Sequence, residues 1–422
     1  MRILLTSSAS HVPPRGGSTR SNLAWIEALA AGGHACRVVG GALSTDTPEK
    51  LAQVRHELED QQIELASPEN YAVADPVKRA AVLKQQIHDF QPDWVLVSSE
   101  DIGQSLLRAA HDAAPGRVVY LAHTPQFYPF GPASWNPDRE GAELVARSAA
   151  VMAIGNHTAD YIHQHLGRHA EVIHPPIYGS GPYAEYGQFD GGFVTMINPC
   201  AVKGISIFLA LAADLPGCRF VALPGWGTTA EDRRALETRP NLTLLSNCKC
   251  IDQVLKDTRI LLVPSLWFEG FGLVVVEAML RGIPVVASDA GGLVEAKLGT
   301  DFVIPVHTIE RYEAAFDDQG LPHAVLPEQD LAPWSAALRS LLSDRELYLR
   351  ESAAARDPAT KFVSALRPGQ LEEFLLALAP GRPDMGSPDM RSPLTRSQDA
   401  LERLSPEKRT LLLHRLRARD AR

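Results

Sequence analysis

Short runs of apolar, mostly β-branched residues recur along the first part of the chain, and longer segments with helical spacing separate several of them. The apolar runs are RILLTSS (2–8), CRVVGG (36–41), DWVLVSS (93–99), RVVYLAH (117–123), AVMAIG (150–155) and AEVIH (170–174). Helix-like segments occupy residues 21–34 and 101–116. Apolar strands that alternate with helices are typical of a parallel sheet covered by helices on both faces. The pattern predicts a doubly wound α/β domain.

A second series of the same kind follows residues 174–192, which are dense in Pro, Gly and Tyr and predict an interdomain connection. Its strand-like runs are FVTMIN (193–198), RFVALPG (219–225), LTLLSN (242–247), RILLVPS (259–265) and PVVASDAGG (284–292). We therefore expect two Rossmann-like domains, at 1–180 and 181–379. Ligands of such sheets bind beyond the carboxyl ends of the strands, which predicts a site in the cleft between the domains. The helical segment near 360–378 either ends the second domain or crosses back onto the first.

The pattern changes after Pro380. Residues 381–393 form a linker rich in Pro, Gly, Ser and Asp, with little to bury. A short amphipathic helix is then expected, because Ser405 and Pro406 are a helix-start pattern ahead of several leucines on a basic segment. Residues 380–422 are thus a flexible tail with a short helix, which either docks to a partner or packs on its own protein.

Composition narrows the class of protein. The chain has 422 residues and a net charge of −9, which argues against nucleic-acid binding. No stretch approaches the roughly 20 apolar residues of a membrane span, and the amino terminus lacks the pattern of a secretion signal. We expect a cytoplasmic protein. The five cysteines are scattered, and Cys248 and Cys250 have no second pair or His at metal-ligand spacing, so no metal site is expected.

The segment EGFGLVVVEA (269–278) carries the most specific chemistry. Glycines at 270 and 272 let a backbone approach a ligand closely, and the free N–H groups at the start of the helix that follows suit a diphosphate. That helix is expected to run to about Arg281 and to be buried, because it is apolar almost all round. Glu277 would then need a partner. The partner is either an Arg or Lys of the same domain, or the vicinal hydroxyls of a ribose. Glu269, just ahead of the glycines, favours the ligand.

This segment, with PSLWFEGFG before it and PVVASDAGG after it, resembles the signature of retaining glycosyltransferases of family 4. The resemblance covers roughly residues 1–375 and implies the GT-B fold, in which two Rossmann-like domains face each other across a cleft. It implies that Glu277 holds the nucleotide ribose and that Glu269 contacts the donor sugar near the reaction centre. The backbone at Gly270, Phe271 and Gly272 would meet the diphosphate.

Other positions fit the same resemblance. Gly16 and Gly17 follow the first strand and would approach the phosphate or the donor sugar. His123 ends a strand and is similar to the family's active-site His.

Lys203 fits one of the two cations that clamp the diphosphate in the family, but Asn198 stands roughly where the family has an Arg. One cation is therefore missing from the pattern. The loop at 225–228 could pass beside the nucleotide. The aromatic loop at 125–135 either lines an acceptor pocket or packs under the first domain.

We therefore expect a retaining glycosyltransferase that uses a nucleoside diphosphate sugar, needs no other cofactor and no metal, and acts on a natural-product or carrier-bound acceptor. The end of the chain, LERLSPEKRTLLLHRLRAR, resembles docking segments of nonribosomal peptide synthetases, which implies docking to a megasynthase through 394–422. The alternatives are a nucleotide-sugar epimerase or a phosphorylase of the same fold, or a non-catalytic recruiting module of an assembly line.

Overall fold

The computed structural model describes residues 1–10, 16–41, 58–65, 76–246 and 250–378, together with Pro14 and His56. The expected linker and tail helix at 380–422 lie outside the described residues, as does Cys248.

The first domain is built on a sheet in which the described residues form seven parallel strands in the order β3-β2-β1-β4-β5-β6-β7. The strands are β1 (Arg2–Ser10), β2 (Ala35–Gly41), β3 (Ile63–Leu65), β4 (Trp94–Ser98), β5 (Val118–Ala122), β6 (Ala150–Ala153) and β7 (Glu171–Val172). The helices are α1 (Gly17–Ala31), α2 (Pro76–Phe90), α3 (Ser105–Ala113), α4 (Arg139–Arg147) and α5 (Asn156–Leu166). The strand order reverses between β1 and β4, which opens a crevice at the carboxyl ends of these two strands.

Side chains of the central strands alternate between two apolar cores. Ile3 and Leu5 of β1 pack on one face of the sheet, whereas Leu4 packs on the other. Each residue of β4 and β5 is buried, because helices cover both faces. The continuous apolar runs in the sequence reflect this double burial.

The second domain repeats the architecture with a parallel sheet whose described strands lie in the order β10-β9-β8-β11-β12-β13. The strands are β8 (Phe193–Ile197), β9 (Phe220–Leu223), β10 (Leu242–Leu244), β11 (Thr258–Val263), β12 (Val285–Ser288) and β13 (Val303–Ile304). The helices are α6 (Ile205–Asp214), α7 (Ala230–Glu237), α8 (Asp252–Leu255), α9 (Leu273–Met279), α10 (Leu293–Ala296), α11 (Ala332–Ser343) and α12 (Arg345–Ala365). An antiparallel hairpin, β14 (Tyr312–Phe316) with β15 (Pro322–Ala324), follows the sheet and was not predicted. Two short 3₁₀ helices span Pro125–Phe127 and Ala201–Lys203.

The last described helix, α13 (Gln370–Ala377), returns to the first domain. Leu371 and Leu375 join the core that contains Trp25 and Trp94, and the Trp94 indole donates to the Leu375 carbonyl at 3.2 Å. Of the two alternatives for this segment, the chain crosses back. The first sheet ends at Val172 and the second begins at Phe193. The domain boundary near residue 180 stays a prediction.

No helix in the described part of the chain combines the length and apolar character that crossing a lipid bilayer requires.

Candidate functional site

Glu277 lies on α9 at the junction of the two domains and is 4% exposed. Its Oε1 accepts a hydrogen bond from the Arg20 guanidinium at 2.6 Å. Arg20 belongs to α1, so the partner comes from the opposite domain rather than from the same one. Burial raises the pKa of the Glu277 carboxyl, and the charge of Arg20 opposes the rise. The carboxylate is therefore held close to a cation and to the cleft at once.

Glu269 lies eight positions earlier and has its own cation. Its Oε1 accepts from the Lys203 ammonium at 2.5 Å and from the Ser265 hydroxyl. The ammonium also lies 4.5 Å from the centre of the Trp267 ring. The backbone of Glu269 is fixed by the Gly292 N–H, which donates to its carbonyl at 2.8 Å. The structure thus brings the predicted residues Glu269 and Lys203 together.

The glycines between the two carboxylates have different roles. A Cβ at Gly270 would collide with the carbonyl oxygen of His123, and Thr158 donates to the Gly270 carbonyl at 2.9 Å. Gly270 therefore allows the two domains to touch. Gly272 has a φ of +112°, a conformation that strongly favours glycine, and it is the N-cap residue just before α9. The helix ends at Met279, two residues earlier than expected. Phe271 is buried, with its ring 4.8 Å from that of His174.

The glycine pair at the start of α1 faces the second domain, as expected for residues of a shared cleft. A Cβ at Gly16 would lie 3.2 Å from the Trp226 indole, and a Cβ at Gly17 would lie 3.2 Å from the Leu273 side chain. Leu273 is the first residue of α9. The starts of α1 and α9 therefore face each other at close range.

The His123 side chain points into the first domain. It is 2% exposed, its ring stacks on Trp25 at 5.7 Å, and its Nε2 lies 2.9 Å from the Asn22 Oδ1. The Asn22 amide group donates to Ser98, so Oδ1 faces the ring and Nε2 carries the proton. Nδ1 is buried without a protein partner among the described residues. Burial lowers the pKa of His123 to about 3, so the imidazole is neutral.

Asn198 positions a loop. Its backbone φ is +55°, and its Oδ1 accepts from the Gly227 N–H at 2.9 Å. This contact holds the loop at 225–228, which presents Trp226 beside Gly16 and Lys203. Asn198 therefore supports the loop at 225–228. Neither Asn198 nor the loop at 225–228 supplies the cation that the family pattern has near position 198.

Sequence reasoning missed several contacts that join the domains. Arg20 is the most important. It lies just ahead of the helix predicted at 21–34, and the structure extends that helix back to Gly17, so Arg20 shares a face with the residue three positions before it. Glu295 of α10 is another, because it accepts from the Asn156 side chain at 2.7 Å and from the His157 N–H at 3.3 Å. Glu295 thus caps the amino terminus of α5 from the other domain.

The aromatic loop at 125–135 packs partly inside the first domain and partly at the domain junction. Tyr128 and Phe130 pack in the core of the first domain. Trp135 instead reaches the junction, where its ring lies 5.9 Å from Trp267 and 5.5 Å from Tyr312 of the hairpin.

Within the described ranges, no group of three or more His, Cys, Asp or Glu side chains is arranged to hold a metal ion.

Comparisons with known proteins agree with this architecture. Residues 15–178 match the model of Glycosyltransferase Family 4, and residues 202–318 match that of glycosyl transferases group 1. A D-inositol 3-phosphate glycosyltransferase of Mycobacteroides abscessus is 29% identical over 42% of this chain and 43% of its own length. One from Corynebacterium kroppenstedtii is 34% identical over 31% of this chain and 22% of its own length. The chain thus matches less than half the length of these curated relatives.

Solved structures share the fold. Sucrose-phosphate synthase from Thermosynechococcus elongatus superposes with a TM-score of 0.63 at 16% identity, covering 90% of this chain and 100% of that one. HepE from Anabaena, solved with UDP-glucose, gives 0.63 at 18% identity over the same shares. Both family models, which together span about two thirds of the chain, point the same way. The chain therefore has the GT-B fold, with a first domain that matches Glycosyltransferase Family 4 and a second domain that matches glycosyl transferases group 1.

Proposed function

We propose that the protein is a retaining glycosyltransferase that moves a sugar from a nucleoside diphosphate sugar to a hydroxyl group of an acceptor held by the first domain. The observation that carries the proposal is the pair of carboxylates at the domain junction. Glu269 lies 2.5 Å from the Lys203 ammonium, and Glu277 lies 2.6 Å from the Arg20 guanidinium. A ligand between them would meet acceptors, cations and backbone from both domains.

The two carboxylates would have different tasks. Glu277 is buried and can accept both vicinal hydroxyls of a ribose. Glu269 lies next to Lys203, so it would contact the donor sugar while the ammonium faces the diphosphate. Binding energy at Glu277 would hold the donor, whereas contacts at Glu269 would strengthen as charge develops in the transition state.

The transfer needs no covalent nucleophile. The bond from the anomeric carbon to the diphosphate oxygen breaks, which leaves positive charge on the sugar and negative charge on the leaving group. The acceptor oxygen attacks the same face of the sugar, and its proton passes to the leaving phosphate. Lys203 would stabilise the departing diphosphate without a metal ion. The close contact of the domains around Gly270 would keep water from the activated sugar.

The neutral imidazole of His123 cannot act as a proton donor near neutral pH. Its Nδ1, which has no partner among the described residues, would accept a hydrogen bond from a hydroxyl of the donor sugar when a ligand is bound. We retain His123 as a donor-sugar contact in the proposal.

The test is an assay with UDP-sugars and GDP-sugars, each with polyol acceptors and with or without EDTA. NMR of the product should show the anomeric configuration of the donor, and EDTA should not lower the rate. Glu277→Ala should weaken donor binding by at least about tenfold, because a buried acceptor of charged hydrogen bonds is lost. Glu269→Ala should mainly lower kcat.

Glu373→Ala removes an exposed carboxylate that is paired with Arg367 and is the matched control. Wild-type donor binding and turnover in both junction variants would overturn the site assignment. Conversion of the donor without an acceptor would favour an epimerase, a need for free phosphate would favour a phosphorylase, and no donor binding would favour a recruiting module.

The acceptor belongs to the proposal as well. The curated relatives are named for D-inositol 3-phosphate, so a phosphorylated cyclic polyol is one acceptor to assay. A carrier-bound or other natural-product intermediate is the second, with docking to a megasynthase through 394–422. Deleting 381–422 should then abolish partner binding while donor binding is kept, and loss of both would count against docking.

A further inference from the structure

Arg20 belongs to the first domain and reaches across the junction to Glu277, a residue of the proposed donor site. Its Nη1 donates to the Glu277 carboxylate at 2.6 Å, and its Nη2 lies 3.5 Å from the Ile177 carbonyl. The Arg20 side chain keeps 38% of its surface exposed, whereas that of Glu277 keeps 5%. The guanidinium thus borders solvent in the cleft, and the carboxylate fixes its direction.

The position of Arg20 follows from two facing helix starts. The Arg20 N–H donates to the Gly16 carbonyl at 3.1 Å, so this residue sits one turn above the glycine pair. On the opposite helix, Glu277 lies one turn after Leu273, whose side chain approaches Gly17. Residues three or four apart share a helix face. Arg20 and Glu277 therefore lie one helical turn beyond the place where Gly16 and Gly17 meet the start of α9.

Two other described cations near this place are already engaged. Arg281 donates to Asp252 at 2.5 and 3.1 Å and to the Glu277 carbonyl at 2.8 Å. Lys203 is paired with Glu269. Among the described residues at this junction, Arg20 is the guanidinium whose carboxylate partner, Glu277, would also bind the proposed ribose.

We propose that Arg20 is a diphosphate-binding residue supplied in trans by the first domain, in place of the cation that Asn198 lacks. In the empty site, Arg20 pairs with Glu277. When the two ribose hydroxyls donate to the Glu277 carboxylate, the Arg20 guanidinium leaves Glu277 and turns toward the diphosphate, which lies beside Gly16 and Gly17. The bound donor then joins the first domain to the second in place of the direct pair of Arg20 with Glu277. This inference rests on the proposed function, since it requires a nucleoside diphosphate at the site.

The chemistry favours a guanidinium for this exchange. A guanidinium binds carboxylate and phosphate with the same two-donor fork, so it can leave Glu277 for a phosphate oxygen without losing a charged hydrogen bond. Glu277, for its part, gains two hydroxyl donors. Neither charge is left buried and unpaired during binding, which would be costly.

The experiment compares diphosphates with nucleosides. Wild type, Arg20→Ala and Arg20→Lys are titrated calorimetrically with UDP and GDP, and uridine and guanosine are measured by competition. Arg20→Ala should weaken binding of the diphosphate by at least about tenfold, the loss expected for one charged hydrogen bond, and should not weaken nucleoside binding. Arg20→Lys should recover most of the diphosphate affinity.

Arg367→Ala is the matched control, because Arg367 is also paired with a Glu at 2.6 Å but lies outside the cleft. Thermal melting checks that each variant is folded. Equal weakening of diphosphate and nucleoside binding, or wild-type or tighter diphosphate binding in Arg20→Ala, would overturn this inference and leave the proposed function standing. Failure of the wild type to bind either nucleotide would overturn both.

Discussion

Glu277 and Glu269 are the single residues around which the domain junction is arranged. Each would be expensive to bury alone, and each has a cation within 2.6 Å. The two pairs differ in origin, because Lys203 and Glu269 belong to one domain whereas Arg20 and Glu277 join two. The second pair therefore makes the state of the proposed donor site depend on how the domains meet.

His123 offers a prediction at the same scale. Its pKa is lowered from 6.5 to about 3 by burial. Between those values the unfolded chain binds more protons than the folded one, so His123 stabilises the fold above about pH 6.5, and this contribution falls as the pH drops toward 3. The slope is at most about 1.4 kcal/mol per pH unit. His123→Gln should remove it.

The measurement is urea denaturation of wild type and variant at about pH 7.5 and about pH 5. The free energies of unfolding should converge at the lower pH. His169→Gln changes a histidine whose side chain is 87% exposed and should leave the pH dependence of wild type intact. Parallel curves for wild type and His123→Gln would contradict the assignment of a buried neutral imidazole.

At the scale of elements, the turn from β11 into α9 is the feature that shapes the site. Gly270 lets the first domain's backbone approach, Gly272 adopts a φ of +112°, and α9 then buries an apolar face. The sequence predicted the turn and the burial of the helix. The helix ends two residues earlier than expected, at Met279, and the chain turns at Gly282 with a φ of +68°.

Gly270→Ala tests this turn. The added Cβ would overlap the carbonyl oxygen of His123. Neither position can shift easily, because the backbone is packed on both sides of this contact. Relief requires the domains to move apart, so we expect a loss of about 1–3 kcal/mol in the free energy of unfolding, together with a large loss of donor binding. Gly217→Ala is the control, because a Cβ there would meet no atom within 4 Å. Equal stability and donor binding in the two variants would contradict the close approach.

For the whole molecule, α13 determines how the second domain is connected back to the first. It follows the second domain in sequence but completes the core of the first. The two domains are thus joined both by the connection near residue 180 and by the return of α12 into α13. Two crossings restrict the relative motion of the domains more than one linker would.

Leu375→Ala is expected to destabilise the first domain although the residue lies near the end of the described chain. Leu375 is fully buried, so truncation should lower the free energy of unfolding by about 2–5 kcal/mol. Its neighbour Leu376 is 61% exposed, and Leu376→Ala should change stability little. Denaturation followed by tryptophan fluorescence would measure the loss, and Trp94, which donates to the Leu375 carbonyl, is one of the six tryptophans that contribute to the signal. Comparable losses in both variants would argue against the docking of α13 on this core.

The sequence alone was enough to predict the two α/β domains, because strands buried on both faces must be continuous apolar runs such as those of β4 and β5. It also determined the carboxylates of 269–278 and the glycines between them, since backbone freedom and charge are properties of single residues. Some short elements escaped it: β3, β13 and the strands of the hairpin have two to five residues, too few to show a period.

Only the tertiary structure decided the partners of those residues. Arg20 and Glu277 are 257 positions apart, and no local pattern relates them. The same holds for Gly270 against the His123 carbonyl, for the inward turn of the His123 ring and for the return of α13. Sequence periodicity reports which face of an element is buried, but the choice of the opposing atoms is made when two separately formed domains pack together.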